Sequence, residues 1–316
     1  MRVSKSTTTT RLFGASQPRR ANTTKIKLPV FPANSLRSRS SARSLRATWL
    51  GHACYYVGDR CMPVQWVGHK RFTRPPCSLG NLPFVNAVVI SHFHYDHLSH
   101  QSVLEIKRHY PNAHFFVGLG PAEWFRKCGI SKATELDWWQ DAEPELTAST
   151  SSESEPSGGI TARFSCLSSQ HSSGRTLTVS SGNKSVWFAG DTGYRTVPEL
   201  SPDVDDYGPD YMSLPRFPYF AQIGRLRGTF DLGLIPIGAY KPHFPWSQLH
   251  SNPHNAVEIF LDTKCQRAIG IHWGTWALTS EEIDEPAMIL RGALKSRNIP
   301  ETGVFDVCAV GESGEF

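Results

Sequence analysis

Ser91-His92-Phe93-His94-Tyr95-Asp96-His97 is the stretch on which the reading of this chain turns. It follows directly on the apolar run Ala87–Ile90 and places four side chains able to hold a metal within six residues. If that run is a strand whose extended form continues, alternation turns His92 and His94 to one side. Asp96 and His97 then lie on the turn into the next helix. Imidazoles with a carboxylate and no thiolate suit zinc, with iron or manganese as alternatives. A polar loop of mutually hydrogen-bonded histidines is the bland alternative, and the density of the cluster argues against it.

Working outward, two other apolar runs end in the same chemistry. Residues 186–189 lead through Gly190 to Asp191, and residues 268–271 lead to His272. Ligands in open α/β folds gather at the carboxyl ends of strands, so these residues are expected to converge. Alone, Asp191 reads equally as a strand-end cap and His272 as a satisfied core histidine. Their shared placement with the 92–97 cluster favours ligands.

The other short runs, 115–117 and 232–237, are near-continuously apolar, as expected of strands buried on both faces. Residues 47–50 and 55–57 read as strands around the Gly51-His52 turn. Ser99 is placed to cap a helix running to Tyr110, and Asn252-Pro253 opens another carrying Ala256, Val257, Phe260 and Leu261. A third opens at Pro286 with Ala287, Leu290 and Leu294 inward. Residues 146–159 read as a Ser-rich loop. Strands alternating with helices give an α/β layered domain over residues 46–316.

Residues 1–46 carry eleven Lys or Arg and no acid, which leaves 22 bases against 28 acids, a net of −6, in the remaining chain. The pI of 8.8 is therefore a property of the tail, and nucleic acid is not an expected partner. Residues 1–45 have the composition of a mitochondrial-type transit segment and equally of a plain disordered basic extension. Seven cysteines without a C-x-x-C pair argue for a reducing, intracellular compartment. No apolar run approaches the roughly 18 residues a spanning helix needs. Nothing in the pattern sets an oligomeric state.

At this point the sequence resembles a family. H-x-H-x-D-H, a later His, a G-D-T-G turn and a strand-end His form the pattern of the metallo-β-lactamase superfamily. TWLGHACYYV (48–57), ISHFHYDHLS (90–99), ELDWW (135–139), FAGDTGYR (188–195), IPIGAY (235–240) and IHWGTWAL (271–278) are similar to blocks of the N-acylphosphatidylethanolamine-hydrolysing phospholipase D group within it. The resemblance implies a four-layer αββα sandwich and two zinc ions. One zinc is assigned to His92, His94 and His171, the other to Asp96, His97 and His272, with Asp191 bridging. Only the resemblance separates His171 from a surface histidine. The implied reaction is attack of a metal-bound hydroxide on phosphorus, releasing phosphatidic acid and an N-acylethanolamine, with Asp96 and Asp191 as the catalytic carboxylates.

His250, before the Asn252-Pro253 helix start, is the expected phosphate contact, with Tyr95 a second hydrogen-bond donor. A phospholipid substrate requires a peripheral membrane encounter. Residues 212–220, with Arg225 and Arg227, read equally as an interfacial segment and as a Pro-interrupted cover on the core. Trp138 and Trp139 are read as core. The match breaks after Val57, where Gly58-Asp59-Arg60-Cys61-Met62-Pro63 stands in place of the family's next strand and its aspartate behind the ligands, and again in a shortened segment after His171. These breaks leave open a divergent enzyme, an impaired lipid-binding homologue or an incomplete gene model. A metallo-β-lactamase-fold lactonase or phosphodiesterase on a soluble substrate is the alternative activity.

Overall fold

The computed structural model describes residues 28–31, 45–57, 71–146, 160–172, 174–201, 204–211 and 213–316. In chain order the elements are β1 (Arg46–Gly51), β2 (Cys54–Val57), β3 (Ala87–Ile90), α1 (His100–His109), β4 (His114–Gly118), α2 (Ala122–Lys127) and β5 (Ala133–Leu136). Then come the short strands β6 (Asp141–Ala142), β7 (Glu145–Leu146) and β8 (Ile160–Thr161), followed by β9 (Arg163–Leu167), β10 (Thr176–Ser181) and β11 (Lys184–Phe188). The chain finishes with α3 (Tyr219–Leu226), β12 (Phe230–Pro236), α4 (His243–Trp246), α5 (Pro253–Thr263), β13 (Cys265–Ile271), α6 (Glu285–Ser296), β14 (Phe305–Asp306) and β15 (Ser313–Glu315).

A seven-stranded sheet runs β14-β13-β12-β11-β10-β9-β6, parallel from β11 to β14 and antiparallel beyond. Strands β3, β4 and β5 form a parallel sheet of three, and β15-β1-β2 an antiparallel one. Adjacent residues of β4 show how the layers stack. The Phe115 ring packs on Phe125 of α2 at 5.2 Å, while Phe116 stacks on Phe164 of β9 at 3.7 Å. One face of β4 therefore meets helices and the other meets the large sheet, as period-two alternation dictates. On the far side of that sheet α5 packs against β12 and β13, flanked by α3 and α6. Helices, sheet, sheet, helices is the expected sandwich. Phe116 and Phe164 are almost wholly buried, and each contributes about 1.5–3 kcal/mol in removing its ring from water.

Both expected caps form: the Ser99 hydroxyl accepts from the Ser102 amide, and the Asn252 side chain accepts from the Asn255 amide at 2.9 Å. Not every apolar residue of α5 is buried. The buried arc of α5 passes through Ala256, Phe260 and Thr263, and Leu261 projects to solvent. Contact with the domain also starts ahead of Arg46. Leu28 packs on the core, Val30 bridges Val310, and Leu45 is buried with its amide donating to the Phe316 carbonyl. Charge counting over 1–45 could not register these few apolar residues. The break at 58–63 and residues 147–159 of the Ser-rich stretch lie outside the described residues.

Candidate metal centre

Strand ends assemble the centre. β3 delivers His92, with His94, Asp96 and His97 on the turn before α1; β9 delivers His171; β11 delivers Asp191; and β13 delivers His272. Gly190 is required between β11 and Asp191. Its φ is +60°, and a Cβ there would sit 2.5 Å from the Ser91 Cβ. His272 itself adopts a left-handed φ of 63°. Such strain in a non-glycine residue persists only where the surroundings over-determine it.

The donors fall into two groups sharing one carboxylate. In the first, His92 Nε2 lies 3.1 Å from His94 Nδ1, His171 Nε2 lies 3.2 Å from the same atom, and His92 Nε2 is 3.6 Å from Asp191 Oδ2. In the second, Asp191 Oδ1 lies 3.0 Å from His97 Nε2 and 3.1 Å from His272 Nε2, while Asp96 Oδ2 lies 3.6 and 3.5 Å from the same two nitrogens. The His171 ring is aimed by its Nδ1–H, which donates to the Leu249 carbonyl at 2.9 Å. The turn that follows His171 is short, and the Arg175 amide ties it to the Ser91 carbonyl. His171 thus reaches the cluster across the shortened segment.

These side chains fit a metal by their own chemistry. Asp191 Oδ1, His97 Nε2, His250 Nδ1 and both ring nitrogens of His272 are buried without a hydrogen bond of acceptable geometry among the described residues. An unsatisfied buried polar atom costs about 1–3 kcal/mol, and these converge on one place. Buried nitrogens facing nitrogens and carboxylate oxygens at about 3 Å form a donor set that cations satisfy together. In the absence of metal, burial opposes ionisation of Asp191, yet the charges of His272 and His97 hold it well below the usual carboxylate range. Burial likewise opposes a proton on His272, but Asp191 and then Asp96 push it up to about 10. Metal and proton therefore compete for this site.

Of the two residues expected at the substrate, Tyr95 is 40% exposed and lies between His94 and Asp96 in sequence. His250 lies deeper than a helix-flanking histidine would, its Nδ1 3.9 Å from Asp191 Oδ2. Burial lowers its pKa to about 3, so the ring is neutral. It also groups with Asp191 and His272 as a set of potential donors. In the 213–220 segment Phe220 is fully buried, Phe217 packs on the core and Arg216 pairs with Glu258 at 3.0 Å, whereas Ser213, Pro215 and Pro218 are exposed. Tyr219 is exposed too and pairs with Trp138 at 5.8 Å. Trp138 corrects the core reading, because it stands at the surface beneath Arg175, while Trp139 packs inward.

Sequence reasoning passed over His52. It is buried, its Nε2 lies 3.1 Å from Asp96 Oδ2, and it groups with Asp96, His97 and His272. The signal was available, since a histidine directly after β1 repeats the placement of the other ligand-type residues.

Comparison with known proteins agrees with this geometry. The family described as Beta-lactamase superfamily domain matches residues 61–273, more than half of the chain. N-acyl-phosphatidylethanolamine-hydrolyzing phospholipase D 1 of Caenorhabditis elegans is 32% identical over 305 residues, covering 87% of this chain and 77% of that protein. N-acyl-phosphatidylethanolamine-hydrolyzing phospholipase D, mitochondrial, of Saccharomyces cerevisiae is 27% identical over 265 residues, covering 76% and 49%. Among solved structures, Igni18, a metallo hydrolase of Ignicoccus hospitalis, shares the fold at a TM-score of 0.56 and 17% identity, with 86% of this chain and 98% of that one covered. No helix among the described residues is long and apolar enough to cross a membrane. With strand ends converging on a buried His/Asp cluster and a family match over more than half of the chain, the chain belongs to the metallo-β-lactamase superfamily and is a metal-dependent hydrolase.

Proposed function

We propose that this protein is a zinc-dependent phospholipase D-type enzyme that hydrolyses N-acylphosphatidylethanolamine to phosphatidic acid and an N-acylethanolamine. The observation that carries the reading is the pair of donor groups sharing Asp191, found in a chain 32% identical to a protein named for this reaction. His92, His94 and His171 would hold one zinc, Asp96, His97 and His272 the other, with Asp191 common to both. Two such ions supply a nucleophile at neutral pH and neutralise charge on the phosphoryl oxygens. Asp191, 1% exposed, fixes the relation between the two groups because each of its oxygens faces a different one. His250 would donate a hydrogen bond to a phosphoryl oxygen, since a neutral ring still carries one N–H and an anion accepts it. Tyr95 would add a phenolic donor.

A bilayer substrate also needs a landing edge. Leu119 and Trp138 follow the carboxyl ends of β4 and β5, on the edge of the sheet that carries His92, and both are exposed. With Tyr219, which pairs with Trp138, and Tyr95 they are exposed apolar and amphipathic side chains of the kind a peripheral membrane contact requires. The basic tail, together with the mitochondrial designation of the yeast relative, supports an import segment ahead of Leu28, followed by a hydrolase domain that takes in Leu28, Val30 and Leu45 as well as residues 46–316. The test is metal content of the purified chain together with product analysis on vesicles containing N-acylphosphatidylethanolamine and on a panel of soluble phosphodiesters and lactones. About two zincs with release of N-acylethanolamine supports the proposal. Turnover confined to the soluble panel would replace the substrate, and a chain that binds no metal would overturn the reading.

A further inference from the structure

We propose that His52 is a positioning residue that fixes the carboxylate of Asp96 for the metal held by Asp96, His97 and His272, and is not itself a ligand. The inference rests on reading those three residues as ligands. His52 sits where β1 ends, in a left-handed conformation with φ of 56° that a non-glycine residue adopts only at a cost. Three hydrogen bonds hold it there. Its amide donates to Thr275 Oγ1 at 2.7 Å, and its carbonyl accepts from Trp49 Nε1 at 2.9 Å and from the His272 amide at 3.1 Å. The ring is clamped as well, edge-on to Trp276 at 4.3 Å and 4.0 Å from the His272 ring. So rigid a mounting presents one atom to one partner: Nε2 lies 3.1 Å from Asp96 Oδ2.

The chemistry of that contact assigns the roles. An ionised carboxylate only accepts hydrogen bonds, so the proton of this bond belongs to His52 Nε2. A nitrogen carrying that proton has no lone pair left for a cation. His52 therefore orients Asp96 from behind, and through its carbonyl it also holds the backbone of His272. The effect should fall on one of the two donor groups, because no contact of His52 reaches His92, His94 or His171 within hydrogen-bond distance among those described.

Two amide substitutions differing by one methylene separate the possibilities. His52→Asn tolerates the left-handed backbone but is too short to reach Asp96, whereas His52→Gln places its Nε2 near the position of the imidazole Nε2. The full chain is stripped with chelator and titrated with Zn2+ against a chromophoric competitor, and the melting temperature of the stripped protein is recorded. The expected result for His52→Asn is one of two zinc affinities weakened about 10–100-fold, the other unchanged, the stripped melting temperature held, and recovery in His52→Gln. Unchanged zinc binding in His52→Asn overturns the proposal while leaving the metal centre standing. Loss of one zinc in both variants would make His52 a ligand. Equal weakening at both sites, a lowered stripped melting temperature, or a failure of His52→Asn to fold would make its role structural. If the unmodified chain binds no zinc, the metal centre itself is wrong and this inference falls with it.

Discussion

Replacing Asp191 by asparagine keeps the outline of the side chain and removes its charge. Its two oxygens lie 3.6 Å from His92 in one donor group, and 3.0 and 3.1 Å from His97 and His272 in the other. At 1% exposure, solvent does not screen the loss. In the metal-free protein the loss is felt at His272, whose proton burial opposes and Asp191 chiefly retains, at about 10 against 6.5. Asp191 contributes more to that rise than Asp96 does, so the substitution should bring the His272 pKa back down toward its ordinary value. Relief from burying a carboxylate offsets much of this, and the net change in metal-free stability should be small. Metal binding has no such offset. Losing a partner behind a ligand commonly costs 10–100-fold, and losing a ligand common to both groups should exceed that at both sites. The assay is zinc per chain after dialysis against a weak chelator, followed by turnover with zinc in excess. Retention of two zincs with near-normal turnover by Asp191→Asn would refute the shared-carboxylate reasoning.

Three further outcomes are expected. His250→Ala should keep its full zinc content and lose about ten- to a hundred-fold in kcat/KM, equivalent to one hydrogen bond to a charged group of about 1.5–3 kcal/mol; a missing zinc would make His250 a ligand. In the metal-free protein the raised pKa of His272 gives stabilisation fully present below about pH 6.5 and lost as pH rises through about 10, so the melting temperature should fall across that window. A metal-free melting temperature that holds level or climbs there would contradict the assignment, and the zinc-loaded protein should show the fall weakly, because the metal displaces the proton. Truncation before Leu28 should leave the melting temperature nearly unchanged, whereas truncation through Leu45 should cost on the order of 1.5–3 kcal/mol by removing the buried Leu45 and the Leu28 contact. Equal stability of the two truncations would show that 28–45 contributes nothing to the domain.

Much of this protein was legible without its fold, and for a definite reason. Strands buried on both faces read as near-continuous apolar runs, so the apolar parts of β3, β4, β11, β12 and β13 announced themselves, and the carboxyl ends of β3, β11 and β13 pointed to His92, Asp191 and His272. Capping chemistry is equally local, and Ser99 and Asn252 mark their helices by the hydrogen bonds they make. His171 was different. Nothing within Ser169-Gln170-His171 distinguishes it, and only the carbonyl of Leu249, 78 positions away, aims its ring at His94. His52 carried the same strand-end signal, but what it does depends on contacts with Asp96, His272 and Trp276, all remote in sequence. Trp138 was misplaced because an apolar residue's type does not say which side of its element the neighbouring layer covers. Local hydrogen bonding and periodicity are written in the order of residues, and so the sequence determined the elements and the donor types. Which donors share a charge, and which face meets water, depends on distances between remote segments, and those only the tertiary structure decided.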